Sequence, residues 1–242
     1  MNQIIYAECI TKKLNLEVAM KKNMMCLLSA LAVFTLLSGV ALAEPQLYET
    51  GPSEESSFVR FVNATDADVA IATAKGKEKV LGTKPDARVT RFFKIKSGAK
   101  LSATIQGKAG RVAIEVVGKP WEFITVAVLP SGAKQIKTSL LRETPSEFSG
   151  TRVSLALLNL DAKCSSANMN IAEKNAAAIY EVKPLAMQRH LTGSDKQSGA
   201  VNCSGSATPV DLSGLESGSR YSLFLLTANN TRQAFVINDD KK

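Results

Sequence analysis

The chain is poor in the side chains that catalysis and metal binding draw on. It holds one histidine, His190, and four cysteines in 242 residues. Acyl transfer needs an activated nucleophile with a base in hydrogen-bond reach. Ser194 and Asp195 follow His190 in the polar stretch QRHLTGSD, which reads as a loop. A G-x-S-x-G elbow is absent. So are the Gly-Asp-Ser opening and later Asp-x-x-His of SGNH hydrolases, since Met187 stands three residues before His190. His190 therefore reads as a surface or hairpin-tip residue, with a Ser194–His190 acetyl-transferring pair as the alternative. Glu54-Glu55 and Asp239-Asp240 read as solvated carboxylates in bends and tails. Gly107 to Gly110 is too short for a phosphate loop and precedes a strand, not a helix. Two distant cysteines and one histidine make no zinc site. No catalytic residue, metal or cofactor is expected, and the chain reads as a binding or scaffold protein. Trp121, the one tryptophan, reads as a core residue, with stacking on a sugar ring as the alternative.

The elements behind these residues are short strands. Period-two runs recur at Phe58–Asn63, Val69–Thr73, Val89–Ile95, Leu101–Ile105, Val112–Val116, Phe123–Leu129 and Gln135–Leu140, with turns between them. Val89, Phe93 and Ile95 are expected on one face of their strand, and Arg88, Lys94 and Lys96 on the other. Arg142 to Gly150, RETPSEFSG, is polar, with Pro145 and a terminal glycine, and reads as a linker. A second set of strands follows at Val153–Asn159, Ile179–Lys183, Val210–Leu212, Tyr221–Thr227 and Gln233–Ile237, with a helical turn over Ala172–Ala178. The halves echo each other: Phe58–Asn63 and Val153–Asn159 both end in Asn, and each half closes on a hairpin. The expected fold is all-β, with two tandem β-sandwich domains joined by a short linker. In Phe58–Asn63 both faces are apolar, which marks a central strand. Arg60 then either forms an end-of-strand ion pair or snorkels to the rim.

Ahead of the sandwiches lies a targeting pattern. Lys21 and Lys22 precede an apolar run from Met24 to Val40, and Ala41-Leu42-Ala43 forms an A-x-A cleavage site. The organisation read from the sequence is a signal peptide over 1–43 with an over-extended start, a basic domain over 44–141, a linker over 142–150 and a second domain over 151–242. Cleavage after Ala43 would send the mature chain to the periplasm and leave Cys164 and Cys203 as its only cysteines. Two cysteines in an oxidising compartment usually pair, so a Cys164–Cys203 disulfide is expected. Charge divides the halves. Lys75 to Lys137 holds fourteen Lys and Arg against four Asp and Glu, a net of +10, while Glu143 to Lys242 holds ten of each. Arg88, Lys94, Lys96 and Lys100 are read as the surface that would meet a polyanion or a partner. An acidic polysaccharide, anionic lipid headgroups or an acidic protein would suit it. Nucleic acid does not, in an exported chain without an aromatic-basic strand motif.

Leu47-Tyr48, Gly51, Ser57-Phe58-Val59-Arg60 and Asn63-Ala64 together resemble the start of the mature AlgF family, the accessory subunit of alginate O-acetylation. The strand ending in Asn159-Leu160 and the pattern Asp211-Leu-Ser-Gly-Leu215, Gly218, Tyr221-Ser-Leu-Phe224 are similar in a looser way. The Cys164/Cys203 pair departs from the family's pattern. The resemblance implies a periplasmic adaptor without a catalytic triad of its own. Its partners would be a membrane-bound O-acyltransferase, which brings acetyl groups across the membrane, and SGNH-like acetyltransferases, which transfer them to an exopolysaccharide. Similar subunits accompany cellulose acetylation. A basic first domain suits a polyuronate such as alginate better than a neutral polymer. A carbohydrate-binding sandwich that retains the polymer is the alternative.

Overall fold

A computed structural model describes residues 55–74, 76–132, 135–145, 148–171, 179–194 and 198–240. The leader, its cleavage site, Leu47-Tyr48 and the helical turn expected at Ala172–Ala178 lie outside the described residues. Residues Pro52 to Lys242 belong to one compact unit.

The described residues form sixteen strands in four four-stranded sheets. The first eight are β1 (Ser56–Asn63), β2 (Val69–Thr73), β3 (Lys79–Leu81), β4 (Phe93–Lys96), β5 (Lys100–Gly107), β6 (Gly110–Val117), β7 (Phe123–Pro130) and β8 (Ile136–Glu143). The next eight are β9 (Val153–Asn159), β10 (Ala167–Ile171), β11 (Ile179–Val182), β12 (Ala186–Thr192), β13 (Ser198–Cys203), β14 (Ser206–Asp211), β15 (Arg220–Ala228) and β16 (Thr231–Asn238). The first sandwich has an inner sheet β4-β1-β7-β8 and an outer sheet β3-β2-β5-β6. The second has an inner sheet β12-β9-β15-β16 and an outer sheet β11-β10-β13-β14. Adding eight to each strand number of the first half gives the second, so the halves share one plan. In each inner sheet the two middle strands are parallel, β1 with β7 and β9 with β15, and the edge pairings are antiparallel. β8 runs on through Arg142 and Glu143, two residues that the sequence reading gave to the linker.

Three apolar cores stack in sequence. Val59, Phe61, Ile124 and Val126 of the first inner sheet meet Ile71, Ile105 and Val116 of its outer sheet. Leu155, Leu157 and Leu223 of the second inner sheet meet Met169 and Val201 of the outer sheet behind them. Between these lies a third core, where Val62, Ala127, Leu129 and Leu141 pack on Leu158, Phe224, Leu226 and Phe235. The inner sheets are thus covered on both faces, which is why β1, β7, β9 and β15 alternate little and read as continuous apolar runs. Cys164 and Cys203 are bonded, their Cα atoms 5.6 Å apart, inside the second sandwich's core.

The shared final asparagine of β1 and β9 has a common job. The Asn63 amide donates to the carbonyls of Ala67, Leu81 and Gly82 at 2.8, 3.2 and 2.9 Å, while its Oδ1 accepts from the Thr65 N–H. The Asn159 amide donates to the carbonyls of Cys164 and Val182 at 2.9 and 3.0 Å, and its Oδ1 accepts from the Asp161 N–H. Both side chains are fully buried. Each satisfies backbone groups where the chain leaves the inner sheet, and each ties that corner to the outer sheet's edge strand, β3 or β11.

The expected strand over Val89–Ile95 is broken. A short 3-10 turn spans Pro85–Ala87, Val89 makes an isolated bridge to Val62, and only Phe93–Lys96 is strand. Val59 pairs with Phe93 and Val62 with Val89, so one extra residue sits in this strand between the two contacts. Such a bulge reverses the facing of side chains across it. Val89 consequently packs against the central core, whereas Phe93 and Ile95 pack into the first sandwich. These three side chains do not share a face, as the alternation implied.

Candidate partner-binding surface

Four cations were expected on this surface, and the structure separates them. Arg88 is buried, with 1% of its area accessible. It follows the 3-10 turn in a helical backbone conformation. That turns its guanidinium inward, where Nη1 donates to the carbonyls of Asn63 and Thr65 at 2.8 and 2.9 Å. Burial pushes its pKa below the ordinary arginine value, and the charge of Asp66 opposes that. Arg88 therefore braces the β1–β2 corner and takes no part in a surface. Lys94, Lys96 and Lys100 are exposed. Lys100 ion-pairs with Glu115 of β6 at 2.9 Å, with both side chains more than half accessible.

Trp121 is not a core residue: 55% of its area is accessible. It sits in the tight turn Lys119-Pro120-Trp121-Glu122 that joins β6 to β7, with φ at +61°. The Glu122 N–H donates to the Lys119 carbonyl at 3.2 Å. Proline at the second turn position and positive φ at the third make this a type II turn, in which the third position favours glycine. The turn is held from below. Glu122 is buried, accepts from the Lys119 N–H at 2.9 Å and ion-pairs with Arg142 at 2.8 Å. The Trp121 N–H donates to the Ser56 carbonyl at 2.8 Å, and Ser56 pairs on its other side with Lys96 of β4. The Gly98 N–H donates to the Gly118 carbonyl at 2.9 Å, tying the β4–β5 turn to the same place. A Cβ on Gly118 would lie 2.4 Å from that of Ser57, so the close approach needs glycine there. Ahead of β4, Arg91 edges a cleft of about 350 Å³ together with Lys77 and Lys79 at the start of β3, and the cleft reaches Phe61, Phe92 and Phe93.

Between the sandwiches lies a second cluster that the sequence reading missed. Arg60 neither reaches the rim nor meets solvent. Its Nη1 donates to Asp239 Oδ1 at 2.7 Å, Nη2 to the Ser222 hydroxyl at 2.7 Å and Nε to the Thr125 hydroxyl at 2.9 Å. The guanidinium lies 4.3 Å from the ring centroid of Phe92 and 4.9 Å from that of Phe224. Burial pushes its pKa below the ordinary arginine value, and Asp239 opposes the shift. Asp239, expected to be a solvated tail residue, is 2% accessible and also accepts from Arg189 at 3.3 Å. Glu143 pairs with Arg189 and, at 3.4 Å, with Arg220, whose guanidinium covers the Phe123 ring. Burial lowers the Arg220 pKa, and the neighbouring Arg189 lowers it further. Thr125 and Ser222 occupy matching register positions in β7 and β15, as Glu143 and Asp239 do at the ends of β8 and β16. These matched carboxylates, fixed by arginines from the opposing half, lock the two sandwiches and leave no charge free for chemistry.

His190 lies in β12 opposite Leu155, not in a loop. Its Nε2 is buried without a hydrogen-bond partner among the described residues. The Ser194 hydroxyl accepts from Ser217 at 3.0 Å, and no hydrogen bond joins Ser194 to His190. No group of three His, Cys, Asp or Glu among the described residues could hold a metal ion. No described helix is long and apolar enough to cross a membrane. The chain matches no family model and no curated protein.

Proposed function

We propose that the chain is a non-catalytic adaptor in a periplasmic polysaccharide O-acetylation assembly. On this reading it links a membrane-bound O-acyltransferase to SGNH-like acetyltransferases, and alginate or a similar polyuronate is the polymer. The observation that carries the reading is the opening stretch Ser57-Phe58-Val59-Arg60 to Asn63-Ala64. Its AlgF-like residues are the ones that hold this body together: Arg60 locks the sandwiches and Asn63 fastens the first corner. The basic balance of the first half supports an anionic polymer over a neutral one. Separate SGNH-like proteins would carry the nucleophile and base.

Deleting the reading frame in a strain that makes an acetylated exopolysaccharide should remove the O-acetyl esters while polymer yield persists. Complementation with His190→Ala should restore them. Normal acetylation in the deletion strain rejects the adaptor role, and failure of His190→Ala to complement, with the protein folded, returns the catalytic alternative.

A further inference from the structure

The first sandwich is open along one side where the second is closed. In the second half the edge strands β11 and β12 are joined by Lys183-Pro184-Leu185 alone and lie against each other. In the first half residues 82–92 part β3 from β4, and the cleft that reaches Phe61 lies between these two strands. Phe61 and Ile71 form its buried apolar floor, and the partly exposed Phe93 ring stacks on Phe61 with 6.1 Å between centroids. Lys77, Lys79 and Arg91 stand exposed on its rim. Arg91 lies in the bulge between Val89 and Phe93, the kind of irregularity that re-aims a side chain. None of the ion pairs among the described residues engages these three cations. The carboxylates near them in sequence, Glu78 and Asp86, are also exposed, and Lys84 adds a further cation, so the rim stays basic.

The backbone of β4 supplies a second feature. β4 ends its sheet, so one row of its backbone groups has no strand to pair with among the described residues. The bonds of β1 identify that row. The Phe58 N–H donates to the Glu122 carbonyl, and the Ser56 carbonyl accepts from the Trp121 N–H, so both residues turn their backbone toward β7. Ser57 and Val59 therefore turn theirs toward β4 and bond to Ile95 and Phe93. Lys94, between these two, turns its N–H and carbonyl outward. Its exposed side chain lies on the face of β4 opposite Phe93, which packs into the sandwich. An extended segment paired with Lys94 would thus present side chains alternately to the cleft and to the Lys94 ammonium.

We propose that the β4 edge is a strand-addition site for an extended segment of a partner protein in which apolar and acidic residues alternate. The segment's backbone pairs with Lys94, its apolar side chains enter the cleft over Phe93, and its carboxylates meet Lys94. Arg91, Lys77 and Lys79 attract it by charge. In strand addition the main-chain bonds hold the segment and the side-chain pocket selects it. Lysine on an edge strand keeps other sheets away, and an acidic segment turns that guard into a contact. A uronate polymer offers neither an apolar side group for the cleft nor a run of amides for the edge. The site names a partner chemistry that the adaptor reading leaves open, and it rests on that reading only for the partner being a protein.

A suitable probe is the peptide acetyl-Asp-Phe-Asp-Ile-Asp-Phe-Asp-amide, titrated into the protein by calorimetry. It should bind saturably at low salt and more weakly at high salt. A peptide of the same composition with its apolar residues in one block should bind about tenfold more weakly or worse. Hydrogen exchange at the Lys94 amide should slow when the probe is bound. Lys94→Pro removes the outward N–H of an edge strand, where proline is tolerated, together with the charge. It should weaken binding about tenfold or more at unchanged Tm, the loss of a main-chain hydrogen bond and a charge contact. Lys94→Gln, which keeps the N–H, should weaken binding only several-fold. The proposal falls if the block peptide binds as well as the probe, if the Lys94 amide exchanges as fast with the probe as without it, or if a folded Lys94→Pro binds as tightly as Lys94→Gln. If Lys94→Pro does not fold, the exchange of the Lys94 amide decides. Slowed exchange with decanoate or a hexuronate oligomer, and none with the probe, would overturn the choice of occupant. Failure of the probe leaves the deletion experiment untouched, so this site and the adaptor reading fail separately.

Discussion

At the scale of single residues, four arginines are structural, while the described lysines lie at the surface. Arg60, Arg88, Arg189 and Arg220 each place a planar fork of donors against carbonyls, hydroxyls or carboxylates inside the molecule. Such a fork satisfies several buried acceptors at once, which an ammonium cannot do in the same geometry. Arg60→Met should therefore cost about 3 kcal/mol of unfolding free energy, near the low end for breaking a buried pair, because Asp239 keeps Arg189 and Ser222. Urea denaturation would measure it; a loss within ±0.5 kcal/mol, the ordinary range for a surface substitution, would mean that the network adds nothing. Arg60→Lys should recover only part of the loss. An ion pair was one of the two readings the sequence allowed for Arg60, the rim the other; its partners, Ser222 and Asp239, were not legible, because they lie more than 160 positions away in sequence. Asp239 looked solvated because a paired acidic segment near a chain end usually is.

At the scale of elements, the strand corners concentrate the polar energetics. Asn63→Leu would remove the donor to the buried Leu81 carbonyl and to the part-buried Gly82 carbonyl, and it should destabilise by about 1–3 kcal/mol, the cost of one unsatisfied buried group. Thermal unfolding checks this, and an unchanged Tm would place the corner's stability elsewhere. Asp161 fastens the matching corner of the second half. Burial pushes its carboxyl up, but hydrogen bonds from Arg232, the Lys163 N–H and Thr227 outweigh that and hold its pKa below the ordinary value. A carboxylate depressed in the folded state adds stability above its unfolded pKa of about 3.9. That stability is lost as pH falls through the lower folded value. Stability of the parent should thus drop more steeply than that of Asp161→Asn below about pH 4, and parallel curves would contradict the assignment. The strands with long apolar runs were readable from sequence. β3, β10, β12 and β13 were not, since each is short or polar, as in Ala186–Thr192, AMQRHLT. The bulge after Thr90 also hid itself. Alternation reads through Arg88–Lys96, RVTRFFKIK, in the sequence, while the backbone shifts register between Val89 and Phe93 and Arg88 is buried.

At the scale of the whole molecule, the duplicated plan was visible in outline through the repeated final asparagine and the closing hairpins. That the halves pack through their inner sheets was not, because a strand apolar on both faces reads the same whether its second face meets a sheet of its own domain or of another. The shared central core makes a definite expectation. The two sandwiches should unfold in one calorimetric transition, with van't Hoff and calorimetric enthalpies equal; two resolved transitions would show that each sandwich is stable alone. Severing the chain between residues 146 and 147 and separating the halves would bare Val62, Leu129 and Leu141 on one piece and Leu158, Phe224 and Leu226 on the other. Each piece should self-associate in sedimentation, and stable monomers would contradict the packing. Within the second half, the Cys164–Cys203 bond closes a loop with a sequence separation of 39. Replacing both by Ser should cost about 4 kcal/mol on the chain-entropy estimate, less any strain released.

The parallel pairing of β1 with β7, and of β9 with β15, also governs how fast this protein can form. Phe58 must wait for Phe123, and Ser154 for Arg220, before either inner sheet acquires its middle. A hairpin closes within microseconds, but these contacts join distant parts of the chain and pay the loop-closure entropy first. Refolding should accordingly fall in the millisecond-to-second range of non-local β proteins. During that interval the first strand, apolar on both faces, stands without neighbours until most of its half has formed around it.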